Sequence, residues 1–300
     1  MLVRLSLVVG AFALWPYVAQ RMPKLFKRSE YQIAFKQIEL IPPPARPVPA
    51  NLVEQASELS DASSELSVLD EGLTSDVARA FRRHPWVSNV IRVRKSFPAA
   101  MSVELEYRQP VAMVQIPDGR VPIDVHGIVL PSADFSPDEA MKFPQIRNVV
   151  SKPVEHPGLL WNDPGLIAAA RLAEIVMDRW TSLKLEAIVV PRLPQSAVET
   201  DDIPLEIIGT GGSRIVWGRA PGNNHPGELE PTQKIRRLEK YLADFGDYSK
   251  PNGPYEIDIR HWQEISRRPL VTPHTDAKSA KNSRLLPKTQ ISEGKKRDRR

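Results

Sequence analysis

The chain has 300 residues, 29 of them proline and none cysteine, and its 41% hydrophobic content suffices for one or two ordinary cores with irregular extensions. The lack of cysteine excludes a disulfide scaffold, a thiolate metal site and a cysteine nucleophile. The net charge of +5 is uneven: residues 263–300 hold eleven basic and four acidic side chains, so the rest of the chain is slightly acidic and offers no basic nucleic-acid surface.

No charge falls between Leu5 and Ala19, and Trp15 and Tyr17 stand where interfacial aromatics belong. At about 1.5 Å per residue this run is short of a ~30 Å hydrocarbon core, although Met1 to Gln20 nearly reaches it if Arg4 snorkels. Residues 1–22 are read as a transmembrane anchor and 23–30 as a basic juxtamembrane linker. A signal peptide with a small-residue site such as Ala11-Phe12-Ala13 or Val18-Ala19 is the competing reading. Arg21, Lys24, Lys27 and Arg28 outnumber Arg4, which under the positive-inside rule favours a cytoplasmic body and conflicts with export.

Between Tyr31 and Leu40 apolar side chains alternate with one slip, which predicts a strand with a bulge. Ile41 to Pro49 is too rich in proline for a ladder or a helix and reads as a stiff, extended connector. Asn51 is a helix cap for a segment through Leu59, and a second helix covers Val77, Ala78, Ala80 and Phe81 until Pro85 ends it. Val87 to Ser96 and Met101 to Tyr107 alternate and form a hairpin through Phe97-Pro98-Ala99-Ala100. The order strand, helix, helix, strand, strand over 31–108 places two helices on one face of a small sheet.

A second unit, 109–262, is β-rich. Short runs at Val111 to Ile116, Arg120 to Val125 and Ile128 to Leu130 are separated by Asp118-Gly119 and His126-Gly127 turns. Helices are predicted at Pro164 to Trp180 and Pro231 to Phe245, and strands at Leu185–Val190, Leu205–Ile208, Arg214–Trp217 and Tyr255–Arg260. The fold class is α+β. The last stretch, 263–300, has too few apolar residues to offset ordering entropy and reads as a disordered basic tail, with contact to an anionic surface as its sharper use.

Candidate chemistry is sparse. Gly209-Thr210-Gly211-Gly212-Ser213-Arg214 lacks the Lys-Ser/Thr ending of a phosphate loop and leads into a strand, so it reads as a hairpin turn. Asp124 and His126 have no third ligand at metal spacing and read as a stabilised turn. The six histidines are dispersed, no nucleophile and base converge, and neither an enzyme nor a cofactor is expected.

From Phe81 to Pro98 the chain reads FRRHPWVSNVIRVRKSFP, with Pro85, Trp86 and Val87 at a helix end before a basic strand and a turn at Pro98. This resembles the FtsQ/DivIB family of bacterial cell-division proteins. The likeness continues through Arg108, Pro110, Val111 and Ala112, through Asp124 and Gly127 in IDVHGIV, and through Asp258 in the terminal EIDIR. The resemblance implies a POTRA domain over 31–108 and a β domain over 109–262, held by one anchor on the outer, periplasmic face of the cytoplasmic membrane. It implies a non-enzymatic scaffold of septum formation that binds other membrane division proteins, small bitopic coiled-coil subunits of the FtsB/FtsL type. The alternative is a POTRA-containing protein of a secretion or outer-membrane assembly pathway.

A terminal strand at Tyr255–Arg260 suits this role if it leaves an unpaired edge, because a partner segment can add there as a further strand. In that reading Ile257 and Ile259 select the partner, Arg260 forks onto its carboxylate and Trp262 anchors it. The ordinary alternative makes both isoleucines core and Arg260 part of a surface ion pair.

Overall fold

The structure, a computed structural model, describes residues 28–60, 65–192, 199–222 and 227–270. The expected anchor or signal segment, and the tail beyond residue 270, lie outside the described residues. Among the described residues no helix is long and apolar enough to cross a membrane.

The slip in the first expected strand is a change of sheet rather than a bulge. Strand β1 (Gln32–Ala34) and strand β2 (Glu39–Ile41) are separated by a 3-10 turn over Phe35–Gln37, which keeps Ile33, Phe35, Ile38 and Leu40 all inward. β1 pairs with β3 (Glu65–Ser67), a strand the sequence did not suggest, whereas β2 pairs in parallel with β5 (Ala100–Tyr107). The proline connector is not extended throughout either. Val48 N donates to Ala45 O at 3.0 Å, closing a turn that brings Val48 into the core.

Helix α1 (Leu52–Glu58) follows Asn51, whose side chain does not cap it but accepts from Gln55 Nε2 at 3.5 Å. Helix α2 (Leu73–Arg82) buries Leu73, Val77, Ala80 and Phe81, spaced for one helical face. It stops before Pro85, whose ring disfavours helical backbone at His84. β4 (Val87–Ser96) and β5 form the expected hairpin, in a sheet ordered β2-β5-β4. Two register shifts in β4 turn Val90 inward and leave Ile91 exposed. This module's core joins Phe35, Leu52, Phe81, Trp86 and Leu105.

The second module is one eight-stranded sheet in the order β13-β12-β11-β10-β9-β8-β6-β7. Its strands are β6 (Pro110–Ile116), β7 (Gly119–Asp124), β8 (Gln145–Arg147), β9 (Leu185–Val189), β10 (Pro204–Gly209), β11 (Arg214–Arg219), β12 (Tyr255–Asp258) and β13 (Ser266–Pro269). Ile128 to Leu130 is not a strand; it makes only the isolated bridges Ile123↔Val129 and Ile128↔Leu160. The short helix α3 (Pro137–Lys142) opens with a capping box between Ser136 and Glu139.

Helix α4 (Pro164–Val176) starts where Asp163 accepts from Leu166 N at 3.0 Å, with Pro164 at its first position. It ends four residues short of the expected Trp180, in a 3-10 turn over Met177–Arg179. Its alanine-rich face and helix α5 (Pro231–Phe245) cover one face of the sheet, burying Leu166, Ala169, Leu172, Ile207, Trp217, Leu238 and Tyr241 in a common core. The glycine loop between β10 and β11 is a turn, as its sequence implies, with Gly211 and Gly212 at φ 79° and 78°.

Candidate functional site

The residues singled out in the sequence fall into two groups in the structure: those at the joint between the modules, and those on and beside β12.

The motif residues of the first group assemble the joint. Trp86, completely buried in the turn between α2 and β4, donates from Nε1 to Asp134 Oδ2 at 2.7 Å, a bond from the first module to the second. Its ring lies 5.9 Å from that of Phe135. Arg108, just after β5, reaches Asp124 at the end of β7, Nη1 to Oδ2 at 2.9 Å. The other oxygen of Asp124 accepts from His126 N at 2.9 Å and Ile128 N at 2.8 Å, so the carboxylate is a turn stabiliser, as its place beside Gly127 suggests. Gly127 has φ 78°, and a Cβ there would stand 3.2 Å from Ile167 Cγ1. Pro85 packs against Gly158, and Val87, Val111 and Ala112 are buried on either side of the joint. Pro98 sits in the hairpin turn, where Ala99 N donates to Glu30 O at 2.9 Å.

In the second group the structure overturns one expectation. The segment Tyr255–Arg260 is not a free edge: β12 runs between β11, in parallel register, and β13, in antiparallel register. Ser266 to Pro269, expected in the disordered tail, supplies that outer strand, so the ordered β unit extends past residue 262. The polar run Ser-Arg-Arg-Pro carried no alternation to reveal it.

Each proposed partner residue has a definite place. Ile257 and Ile259 are 0% exposed and belong to the core, as in the ordinary alternative. Arg260 folds back on Asp258, Nη2 to Oδ2 at 2.7 Å and Nε to Oδ1 at 3.0 Å. Burial works against ionisation of Asp258, but the hydrogen bonds from Arg260 outweigh it and hold the carboxyl below its ordinary range. Trp262 is 62% exposed, its Nε1 donating to Gly227 O at 3.2 Å and its carbonyl accepting from Arg237 at 2.6 Å. Nearby, Lys234 is almost wholly buried, held by Glu228 at 2.5 Å and lying 5.0 Å over the Trp217 ring.

On the other face of the sheet a charge ladder crosses four strands. Glu206 of β10, Arg214 of β11, Glu256 of β12 and Arg268 of β13 alternate in sign, and neighbours are ion-paired throughout. Desolvation opposes the charge on Glu256, yet hydrogen bonds from Arg214 and Arg268 keep its carboxyl below the usual range. On the core-facing side Arg267 lies over Phe245 at 4.2 Å and over Tyr255 at 5.1 Å.

These features define a two-module α+β protein whose long sheet ends in a short, polar outer strand. No family model matches the chain. Over 119 residues it is 31% identical to the "Cell division protein FtsQ" of Anaeromyxobacter sp. (strain K), a stretch covering 35% of this chain and 39% of that protein's length. The chain is thus distantly similar to a cell-division protein over about a third of its length.

Proposed function

We propose that this protein is a non-enzymatic scaffold of the bacterial cell-division apparatus. One N-terminal segment tethers it to the cytoplasmic membrane, and the two modules stand outside the cytoplasm. Its partners are other membrane division proteins, among them small single-pass coiled-coil proteins of the FtsB/FtsL type. The similarity to an FtsQ protein carries this reading. The buried joint through Trp86–Asp134 and Arg108–Asp124 supports it, since a scaffold needs modules held in a fixed relation.

The partner surface is placed at the β12 end of the sheet, with Ile257, Ile259, Arg260 and Trp262. Burial of the isoleucines limits them to shaping the strand, which leaves Arg260 and the exposed Trp262 ring as the side chains a partner meets. Affinity purification of the tagged full chain from dividing cells tests this. Small single-pass division proteins are expected in the eluate, and Arg260→Glu combined with Trp262→Ala is expected to lose them while the protein still melts cooperatively. Undiminished recovery by that variant excludes the site. A topology reporter fused after Arg268 should be active only outside the cytoplasm, and activity inside it contradicts the scaffold's placement.

A further inference from the structure

We propose that the tip of the β4–β5 hairpin, carried by Phe97, rests in the interfacial layer of the bilayer, beside the point where the chain enters its first module. This deepens the tethered-scaffold reading above and rests on it, because a membrane-embedded N-terminal segment is what brings the tip to the lipid.

Three segments meet at that end of the module. The described chain begins at Arg28, and two residues later Glu30 O accepts from Ala99 N at 2.9 Å, which ties the entry point to the hairpin turn. Tyr31 follows, its ring 5.7 Å from that of Phe97, and its carbonyl accepts from Val68 N at 2.9 Å just after β3. Lys95 Nζ donates to Asp70 O at 2.7 Å and joins the hairpin to the turn after β3. Only eight residues lead from Met22, the end of the expected anchor, to Glu30. Fully extended they reach about 29 Å, so the turn stands no farther than that from the anchor's end.

The side chains at this end suit the lipid boundary. Phe97 is 68% exposed with the half-buried Tyr31 ring beside it, and Leu69 in the turn after β3 is exposed as well. Aromatic rings with one apolar and one polar end are the residues that settle at headgroup level. Arg28, Arg94 and Lys95 are offset by Glu30, Asp70 and Glu71, so attraction to anionic lipid is not what holds the tip. Transfer of the apolar Phe97 ring out of water is the driving force that remains.

One ring is too little to hold a free protein on a membrane, where even a whole acyl chain gives marginal, reversible binding. The tether makes this contact intramolecular, and its short reach keeps the tip at high effective concentration against the surface. The bonds from Ala99 and Lys95 already fix the turn, so docking has little left to order. The contact sets how the first module stands on the membrane. Through the buried bonds Trp86–Asp134 and Arg108–Asp124 it also sets the direction in which the second module points.

The test uses the full chain, which has no cysteine of its own, in vesicles of phosphatidylethanolamine and phosphatidylglycerol. A nitroxide label is placed at Ser96→Cys, beside the intact Phe97, and separately at Asp118→Cys in the exposed β6–β7 turn. Its relaxation by oxygen, which concentrates in lipid, is compared with relaxation by a water-soluble nickel chelate. The oxygen-to-nickel ratio at position 96 should exceed that at 118 about tenfold, should fall to the level of 118 when Phe97→Asp is added, and should persist with Phe97→Trp. Vesicles of phosphatidylcholine alone should give the same contrast. Equal ratios at 96 and 118, no effect of Phe97→Asp, loss of the contrast with Phe97→Trp, or a contrast confined to the anionic vesicles overturns the proposal. Alkaline carbonate extraction of the same vesicles reports the tether. If the chain washes off, the membrane-tether reading fails and this inference with it; if it stays embedded while position 96 is as aqueous as 118, this inference fails alone.

Discussion

Arg108 and Asp124 meet at 2.9 Å across the joint between the modules, and the aspartate spends its second oxygen on two backbone amides of the following turn. One carboxylate thus fixes both the loop after β7 and the end of β5. The pair is largely buried, so its value is seen most clearly when one member is removed and the other is left without its counter-charge.

Asp124→Ala is expected to destabilise the protein by about 3–5 kcal/mol, as loss of one member of a buried ion pair does. Asp124→Asn retains an acceptor for the amides and should cost less. Urea denaturation of the two variants checks the order. Equal, small losses would show that the joint does not depend on the charge.

Trp86→Phe removes the donor to Asp134 but keeps an aromatic ring beside Phe135. The expected loss is about 1–2 kcal/mol. Asp134→Asn, which can still accept from the indole, should be nearly neutral. Differential scanning calorimetry is the measurement, and separation of one transition into two in Trp86→Phe would show that the bond couples the modules.

His84 is buried, and desolvation pushes its pKa down to about 4, partly offset by the nearby Asp134 carboxylate. Trp86 N donates to its Nδ1 at 3.3 Å, so the neutral ring carries its proton on Nε2 and donates to Gln55 Oε1 at 2.8 Å. The folded state binds fewer protons than the unfolded state between about pH 4 and pH 6.5, so stability rises with pH in that window. The contribution is complete above pH 6.5 and is lost as pH falls toward 4. The change amounts to roughly 2 kcal/mol once screening by water is allowed for. His84→Gln should flatten this part of the curve, measured by urea unfolding at a series of pH values.

Gly209→Ala should be costly although its backbone is ordinary. An added Cβ would lie 2.3 Å from Cδ2 of Tyr248, a fully buried ring fixed by its hydroxyl's bond to Leu183 O at 2.9 Å. Neither ring nor strand can yield cheaply, and a loss of about 2–3 kcal/mol is expected. Gly212→Ala, with open space around it but φ 78°, separates backbone strain from this clash. Thermal melts of the two variants make the comparison.

Much of the architecture is set by local pattern. Alternation over Met101 to Tyr107 places Met101, Val103 and Leu105 inward, the proline-started helices α4 and α5 lie close to where their apolar spacing puts them, and the Asp124 turn behaves as its Asp-x-x-Gly spacing suggests. What escaped the sequence were three-residue strands such as β3 and β8, and the four-residue β13. Segments so short hold too few inward side chains to display a period. Their existence depends on backbone partners far along the chain: Glu65–Ser67 on β1, Gln145–Arg147 between β6 and β9, Ser266–Pro269 on β12. The candidate site divides the same way. Its residue types were legible, because Asp258, Arg260 and Trp262 stand together in the chain. Whether β12 has a free edge was decided by tertiary structure alone, since hydrogen bonding between distant segments is indifferent to side-chain pattern.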